Sequence, residues 1–297
     1  MSNDERDTHS GQVRAAMGSA NRLKLGLFGA NCSSGRAVTM VPERWSGSWP
    51  DCVRLAQMAD RAGIEFMLPI GRWKGYGGET DYQGATLETV TWACGLLAKT
   101  ERLTLFGTVH APLIPPLIAA KEFVTADHIG EGRFGLNLVC GWNEGEFEMF
   151  GATLRDHEER YAYAQEWLDV VKLAWSPRED FDFDGSFFTL KGMRAKPKPY
   201  GGTRPLIMNA GASPTGQAFA IRNCDALFST ISRGISFEET VQHVAKGHDT
   251  HGVDVDPAAA LLRLRLHPAA PRRGTRIIIA TASSSTPIGV LSTTSWR

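Results

Sequence analysis

The chain has 297 residues, 42% of them apolar, and its 32 basic and 32 acidic side chains cancel. That composition suits one large globular domain and gives no reason to expect nucleic acid or an anionic membrane as partner, so the expected ligand is a small molecule. No apolar run approaches the roughly 18 residues of a membrane span and Met1 to Arg22 lacks the apolar core of a signal peptide, which predicts a cytoplasmic location; five cysteines without CxxC spacing speak against a disulfide framework and against structural zinc.

Residues 1–22 are polar and aperiodic and read as a disordered N-terminal arm. Leu23-Lys-Leu-Gly-Leu-Phe28 alternates as a first strand, and Trp49-Pro50-Asp51 opens a helix that runs to about Gly63. Phe66 to Ile70 is a second strand, Gly71 to Gly84 a glycine-rich loop, and Leu87 to Thr100 a second helix with Leu87, Val90, Cys94 and Leu97 inward. Leu103 to Ala111 is a third strand whose even positions, Thr104, Phe106, Thr108 and His110, share one face. Pro115-Pro116 opens a third helix that Gly130-Glu131-Gly132 stops.

The fourth strand, Arg133 to Gly141, is the most informative stretch. Phe134, Leu136, Leu138 and Cys140 make one face greasy throughout; Gly135, Asn137, Val139 and Gly141 leave small residues around a single amide on the other, as expected where a barrel interior makes room for a ligand. After Trp142 comes a loop of acids and aromatics, then a helix with Tyr161, Ala164, Leu168, Val171 and Trp175 on one face and Arg160-Tyr161 in its first turn. Between Pro177 and Pro199 the pattern breaks into an inserted hairpin, of the kind that often serves as a lid. Leu206 to Gly211 is a fifth strand, Ala212 to about Asn223 a helix, Ala226 to Ile231 a sixth strand and Phe237 to Lys246 a sixth helix.

Six βα units in succession, without a GxGxxG turn after the first strand, predict the α/β class and a (β/α)8 TIM barrel over residues 23–246. Two further units need more chain than remains. From His251 onward there is no Lys, Glu, Met, Phe or Tyr, so 247–297 is expected to be an atypical tail, frame-shifted or truncated, leaving the barrel incomplete and flavin poorly held. The alternative is a divergent tail in which 276–280 and 288–291 supply short closing strands.

Catalysis in such a barrel belongs at the C-terminal ends of the strands, and the residues singled out by chemistry fall there. Ser213-Pro214 is a good helix cap in its bland reading; with Arg160 it becomes a pair of helix N-termini able to face one phosphate. His110 is either a satisfied core histidine or a site residue, and its place at a strand end favours the site. Asn137, an amide among inward Gly and Val, needs a partner that a heteroaromatic ligand edge would supply. Trp73, Trp142, Phe187 and Phe188 are candidates for substrate contact or plain packing. Glu144, Glu146 and Glu148 read as a solvated loop, with Glu146 set apart. No HExxH, Ser-His-Asp order, Walker loop or metal cluster is present, so no metal is expected.

Gly-Tyr-Gly-Gly (75–78), Gly-Arg-Phe-Gly-Leu-Asn-Leu-Val (132–139), Gly-Trp-Asn (141–143), Glu-Phe-Glu-Met-Phe-Gly (146–151), Arg160-Tyr161, Phe-Asp-Gly-Ser-Phe-Phe (183–188) and Asn-Ala-Gly-Ala-Ser (209–213) occur in this order. In these motifs the chain resembles the bacterial-luciferase-like, flavin-dependent monooxygenases, in the branch with the pyrimidine, alkanesulfonate and dimethyl-sulfone monooxygenases. The resemblance implies the luciferase-like TIM barrel and FMN contacts at Gly71, Arg72, Asn137, Glu146, Arg160, Tyr161 and Ser213. It also implies reduced FMN supplied by a flavin reductase, O2 used through a flavin peroxide, a small sulfur- or nitrogen-containing substrate, and a homo-oligomer built on the outer helices. His110 is then the catalytic candidate nearest the peroxide, and Trp73 and Trp142 the substrate candidates. A deazaflavin (F420)-dependent oxidoreductase and a non-catalytic flavin-binding or partner subunit are the rivals.

Overall fold

A computed structural model describes Met17, residues 23–228 and the backbone of residues 276–280. Its main sheet contains β1 (Leu23–Phe28), β2 (Phe66–Leu68), β3 (Thr104–His110), β4 (Phe134–Val139), β7 (Leu206–Asn209), β8 (Ala226–Leu227) and β9 (Arg276–Ala280). These strands lie in the order β8-β7-β4-β3-β2-β1-β9 and every pairing is parallel. The helices are α1 (Trp49–Ala62), α2 (Thr89–Leu97), α3 (Pro116–Ile129), α4 (Glu144–Met149), α5 (His157–Trp175) and α6 (Pro214–Asn223). An antiparallel hairpin, β5 (Asp180–Asp184) with β6 (Thr189–Arg194), stands between α5 and β7, where the break in pattern places it. The result is the curled parallel sheet of a barrel covered by helices, and no helix among the described residues is long and apolar enough to cross a membrane.

Strand register sets glycines against aromatic rings on the inner face. Parallel pairing sets Gly26 beside Phe66 and Phe106 beside Gly135, and a Cβ on Gly26 or Gly135 would lie 2.3 Å or 2.4 Å from the phenylalanine ring. Each ring thus occupies the space its glycine leaves, and the two rings meet edge to face at 5.9 Å. Met17, the one described residue of 1–22, is buried in this inner cluster with Leu68 and Met208. The opposite strand faces, Leu103, Leu105 and Val109 of the third unit and Phe134, Leu136 and Leu138 of the fourth, pack against Phe123, Trp167 and Leu168 of α3 and α5. Burying such side chains contributes about 1.5–3 kcal/mol each and makes this layer the main core.

Helix ends follow local chemistry. Ser48 caps α1 and Gly63 ends it at φ 78°, a left-handed turn that glycine adopts without strain. Glu88 caps α2 by accepting from Val90 and Thr91 N–H, so this helix is shorter than its apolar pattern suggests, and Trp92, Ala93 and Leu96 are buried where Leu87 and Cys94 are only partly so. Asp156 caps α5, which starts three residues before Arg160. The expected acidic loop after β4 is instead the short helix α4, with Glu144 and Glu146 in its first turn, where carboxylates suit the helix dipole.

The hairpin is pinned down rather than loose. Glu166 of α5 accepts from the N–H groups of Ser186, Phe187 and Phe188 at 2.8, 2.8 and 2.6 Å, and both phenylalanines pack on Tyr163. The rest of the N-terminal arm, the second half of the sixth strand, the sixth helix and the tail of 247–297 other than the backbone of β9 lie outside the described residues.

Candidate active site

Two neighbouring places hold the residues selected from the sequence. The first is a buried ionic centre at the ends of β2, β3 and β4. Thr108 pairs in register with Asn137; its hydroxyl donates to Pro69 O at 2.7 Å and accepts from Asn137 Nδ2 at 3.2 Å. Asn137 Oδ1 is buried without a partner. Two residues on from Thr108, His110 is 5% exposed, and its Nε2 lies 4.0 Å from Glu146 Oε2. Glu146, 1% exposed, also accepts the N–H groups of Trp73 at 2.8 Å and Lys74 at 3.2 Å and pairs with Arg72 at 3.5 Å. Glu144 and Glu148 are exposed, so Glu146 alone of the three acids turns inward.

The Arg72 guanidinium is stacked over the rings of Tyr76 and Trp142 at 4.9 and 5.1 Å, while its Nε is buried without a hydrogen-bond acceptor. Gly71 is close-packed: a Cβ there would meet His110 and Thr108 at 3.0 Å. Burial pushes the His110 imidazole down to about 4, the Glu146 charge opposing this and Arg72 adding to it. His110 is therefore a neutral imidazole at pH 7. A cavity of about 390 Å³ opens beside it, with Gly71, Arg72, Trp73, Thr108, His110 and Phe150 among its lining. Its size is that of a small-molecule site. Trp73 stacks edge-on against Phe150 at 5.1 Å; Trp142 is 55% exposed and reaches this centre only through Arg72.

The second place is where the N-termini of α5 and α6 meet. Ser213 caps α6 with Pro214 in the first turn, as the sequence predicts, accepting from Gly216 N–H at 3.1 Å. Its Oγ lies 3.0 Å from His157 Nε2, the first residue of α5. Gly211 and Gly216 form a cradle: a Cβ on Gly216 would fall 2.4 Å from the Tyr161 hydroxyl and 2.8 Å from Gly211 Cα. Burial raises the Tyr161 phenol above its ordinary range. Arg160 lies between the two places and donates to Gly141 O at 2.7 Å, so its guanidinium braces the end of β4.

Several site residues were not singled out from the sequence. Thr108 orients Asn137, and its only signal was its shared face with His110. Asn31 is fully buried and ties β1 to β2 through Ile70 N and O and Leu87 O. Asn209 donates to Leu138 O and accepts from Gly211 N–H. His157 gave no signal at all, since only the fold sets it against Ser213.

The family described as luciferase-like monooxygenase matches residues 23–273. Pyrimidine monooxygenase RutA of Pseudomonas syringae pv. syringae is 33% identical over 238 residues, 78% of this chain and 65% of that protein. RutA of Escherichia coli K12 is 30% identical over 239 residues, 78% of this chain and 62% of that protein. The chain therefore spans somewhat less than two thirds of the length of these curated relatives. Among solved structures, a riboflavin lyase (RcaE) with modified FMN and riboflavin aligns with a TM-score of 0.69 at 23% identity, over 79% of this chain and 60% of that one. An F420-dependent secondary alcohol dehydrogenase aligns with a TM-score of 0.62 at 18% identity, over 78% and 65%. The chain belongs to the luciferase-like monooxygenase family, and its fold is the barrel of that family.

Proposed function

We propose that this protein is a monooxygenase that uses reduced FMN, delivered by a partner flavin reductase, and O2 to oxygenate a small nitrogen- or sulfur-containing organic molecule. The observation that carries the reading is the buried, unpartnered Asn137 Oδ1, held in place by Thr108 at the ligand end of the barrel in a chain of this family. A buried amide oxygen costs about 1–3 kcal/mol when unsatisfied, and the N–H edge of a flavin ring would satisfy it. The unpartnered Arg72 Nε and the Gly211–Gly216 cradle fit the acceptor edge and the phosphate of the same group.

In this reading Gly71, Arg72, Asn137 and Glu146 hold the ring, with Glu146 also fixing the 71–74 turn, and Arg160, Tyr161 and Ser213 hold the phosphate. Bound reduced FMN would supply the electrons that activate O2. The protein's own part is to orient, to shield and to manage one proton. Trp73 and Phe150, which line the cavity, would shield the ligand from water, and Trp142 would act through its stacking on Arg72. His110, neutral and walled in by Glu146 and Arg72, offers Nε2 as a group that donates or accepts a hydrogen bond beside the reacting centre without adding charge. A homo-oligomer in the cytoplasm goes with this reading, as does the pyrimidine activity of the relatives as the first substrate class to screen.

The test is an anaerobic titration with FMNH2 and with reduced F420, followed by O2 uptake with a flavin reductase and a screen for products heavier by one oxygen. Preference for the deazaflavin, or no substrate-dependent O2 uptake with any compound of the screen, would overturn the proposal.

A further inference from the structure

We infer that Asn31 is a positioning residue for the flavin site: its side-chain amide stands in for a strand beside Ile70 and so fixes the next two residues, Gly71 and Arg72, whose backbone N–H groups are kept for the ligand. The inference rests on the reading of Gly71 and Arg72 as contacts of the flavin ring.

The backbone beyond β2 keeps a strand's alternation, but side chains take over from the neighbouring strands. Leu68 O accepts from Gly29 N–H at 3.0 Å on the β1 side, the last main-chain bond there. Pro69 has a carbonyl but no N–H, and Thr108 Oγ1 of β3 donates to that carbonyl at 2.7 Å. Ile70 turns back to the β1 side, and both its polar groups meet Asn31: Ile70 N–H donates to Oδ1 at 2.8 Å, and Nδ2 donates to Ile70 O at 2.9 Å.

Asn31 is fully buried, and its second amide hydrogen goes to Leu87 O at 3.0 Å. The partners fix which way round the amide lies, because turning it over would set its oxygen against two carbonyls. With both donors used, the amide has none left for a ligand and acts through Ile70. The far end of the segment is held by Glu146, which accepts from the N–H groups of Trp73 and Lys74. Between these clamps, the N–H groups of Gly71 and Arg72 make no hydrogen bond among the described residues, and both residues line the cavity. Backbone donors shut away from water need an acceptor, and two adjacent ones held from both ends form a ready pair for a ligand's oxygen or nitrogen atoms.

The experiment is titration of the full chain with FMN and with riboflavin, which lacks the phosphate, in wild type, Asn31→Ala and Asp60→Asn. Asp60 accepts the N–H groups of Glu101, Arg102 and Leu103 ahead of β3, so its variant weakens a comparable clamp away from the site and controls for lost stability. Asn31→Ala should bind FMN and riboflavin about tenfold more weakly, by the same factor for both, and should shift the visible absorption of the bound flavin. Asp60→Asn should bind both flavins as wild type does. Unchanged affinity and spectrum in Asn31→Ala, an equal loss in Asp60→Asn, or a loss confined to FMN would overturn the role of Asn31. If Asn31→Ala does not fold, hydrogen exchange of single amides in wild type decides. Ile70 N–H should be protected without flavin, while those of Gly71 and Arg72 exchange freely until FMN is added. Exchange at Ile70 as fast as at Gly71 in the flavin-free protein would sink the inference and leave the flavin site standing. Binding of neither flavin by wild type, or FMN binding that leaves Gly71 and Arg72 unprotected, would overturn the flavin reading of these two residues and the inference with it.

Discussion

The two halves of the site, one at strand ends and the other at helix N-termini, differ in how deeply they are buried. Around His110, Arg72 and Glu146 every side chain is at least nine-tenths buried, so each group is held in one geometry by its neighbours. At the meeting of α5 and α6, the His157 side chain is 42% exposed and that of Glu158 75%, so water can replace any one partner. The first half suits chemistry that demands a fixed environment. The second suits a ligand that arrives and leaves.

Substitutions can break that contrast, and the largest effect is expected at Glu146. Glu146→Ala strands Arg72 and two backbone N–H groups, and should cost about 3–5 kcal/mol of stability by urea unfolding, with Glu146→Gln milder. A fully stable Glu146→Ala protein would show the centre to be wetter than described. Next, His110→Ala should leave flavin affinity within a factor of a few while lowering turnover about a hundredfold. Loss of folding instead would return His110 to the core.

The same residue predicts an acid limit. The unfolded chain protonates His110 near its ordinary pH of about 6.5, whereas the folded chain resists until about 4, so the unfolded state binds the extra proton between them. Stability from this group is present above about 6.5 and is lost as pH falls toward 4. Urea midpoints measured across that range should fall more steeply for wild type than for His110→Asn; equal slopes would contradict the assignment.

Arg160→Ala should weaken FMN binding by about 1.5–3 kcal/mol with the fold kept, because a charged hydrogen-bond donor is removed from a partly exposed place. An unchanged dissociation constant would take Arg160 out of the phosphate site. The smallest effect belongs to Trp142→Ala, expected to move stability by no more than about 0.5 kcal/mol while raising the apparent KM. A large stability loss would mean that its contact with Arg72 is structural.

The unit order, the barrel, the Ser213-Pro214 start of α6 and the inward alternation of β3 and β4 were all legible in the sequence, because strand period, helix caps and proline positions are local properties. Asn137 and His110 could be named for the same reason: each stands out chemically on a face whose other members are known. Glu146 could be set apart from Glu144 and Glu148, but its bonds to the N–H groups of Trp73 and Lys74, like the pinning of the hairpin by Glu166, were not legible, since each depends on which backbone N–H groups another segment presents. His157 is the clearest case. Nothing in its neighbours along the chain distinguishes it from a solvated histidine, and only the convergence of α5 and α6, units brought together by strand pairing, sets its ring 3.0 Å from Ser213. The sequence by itself determined the strands, the helices and the chemistry available at their ends; the tertiary structure decided which of those groups share a proton, because hydrogen bonds between side chains depend on distances that no local pattern encodes.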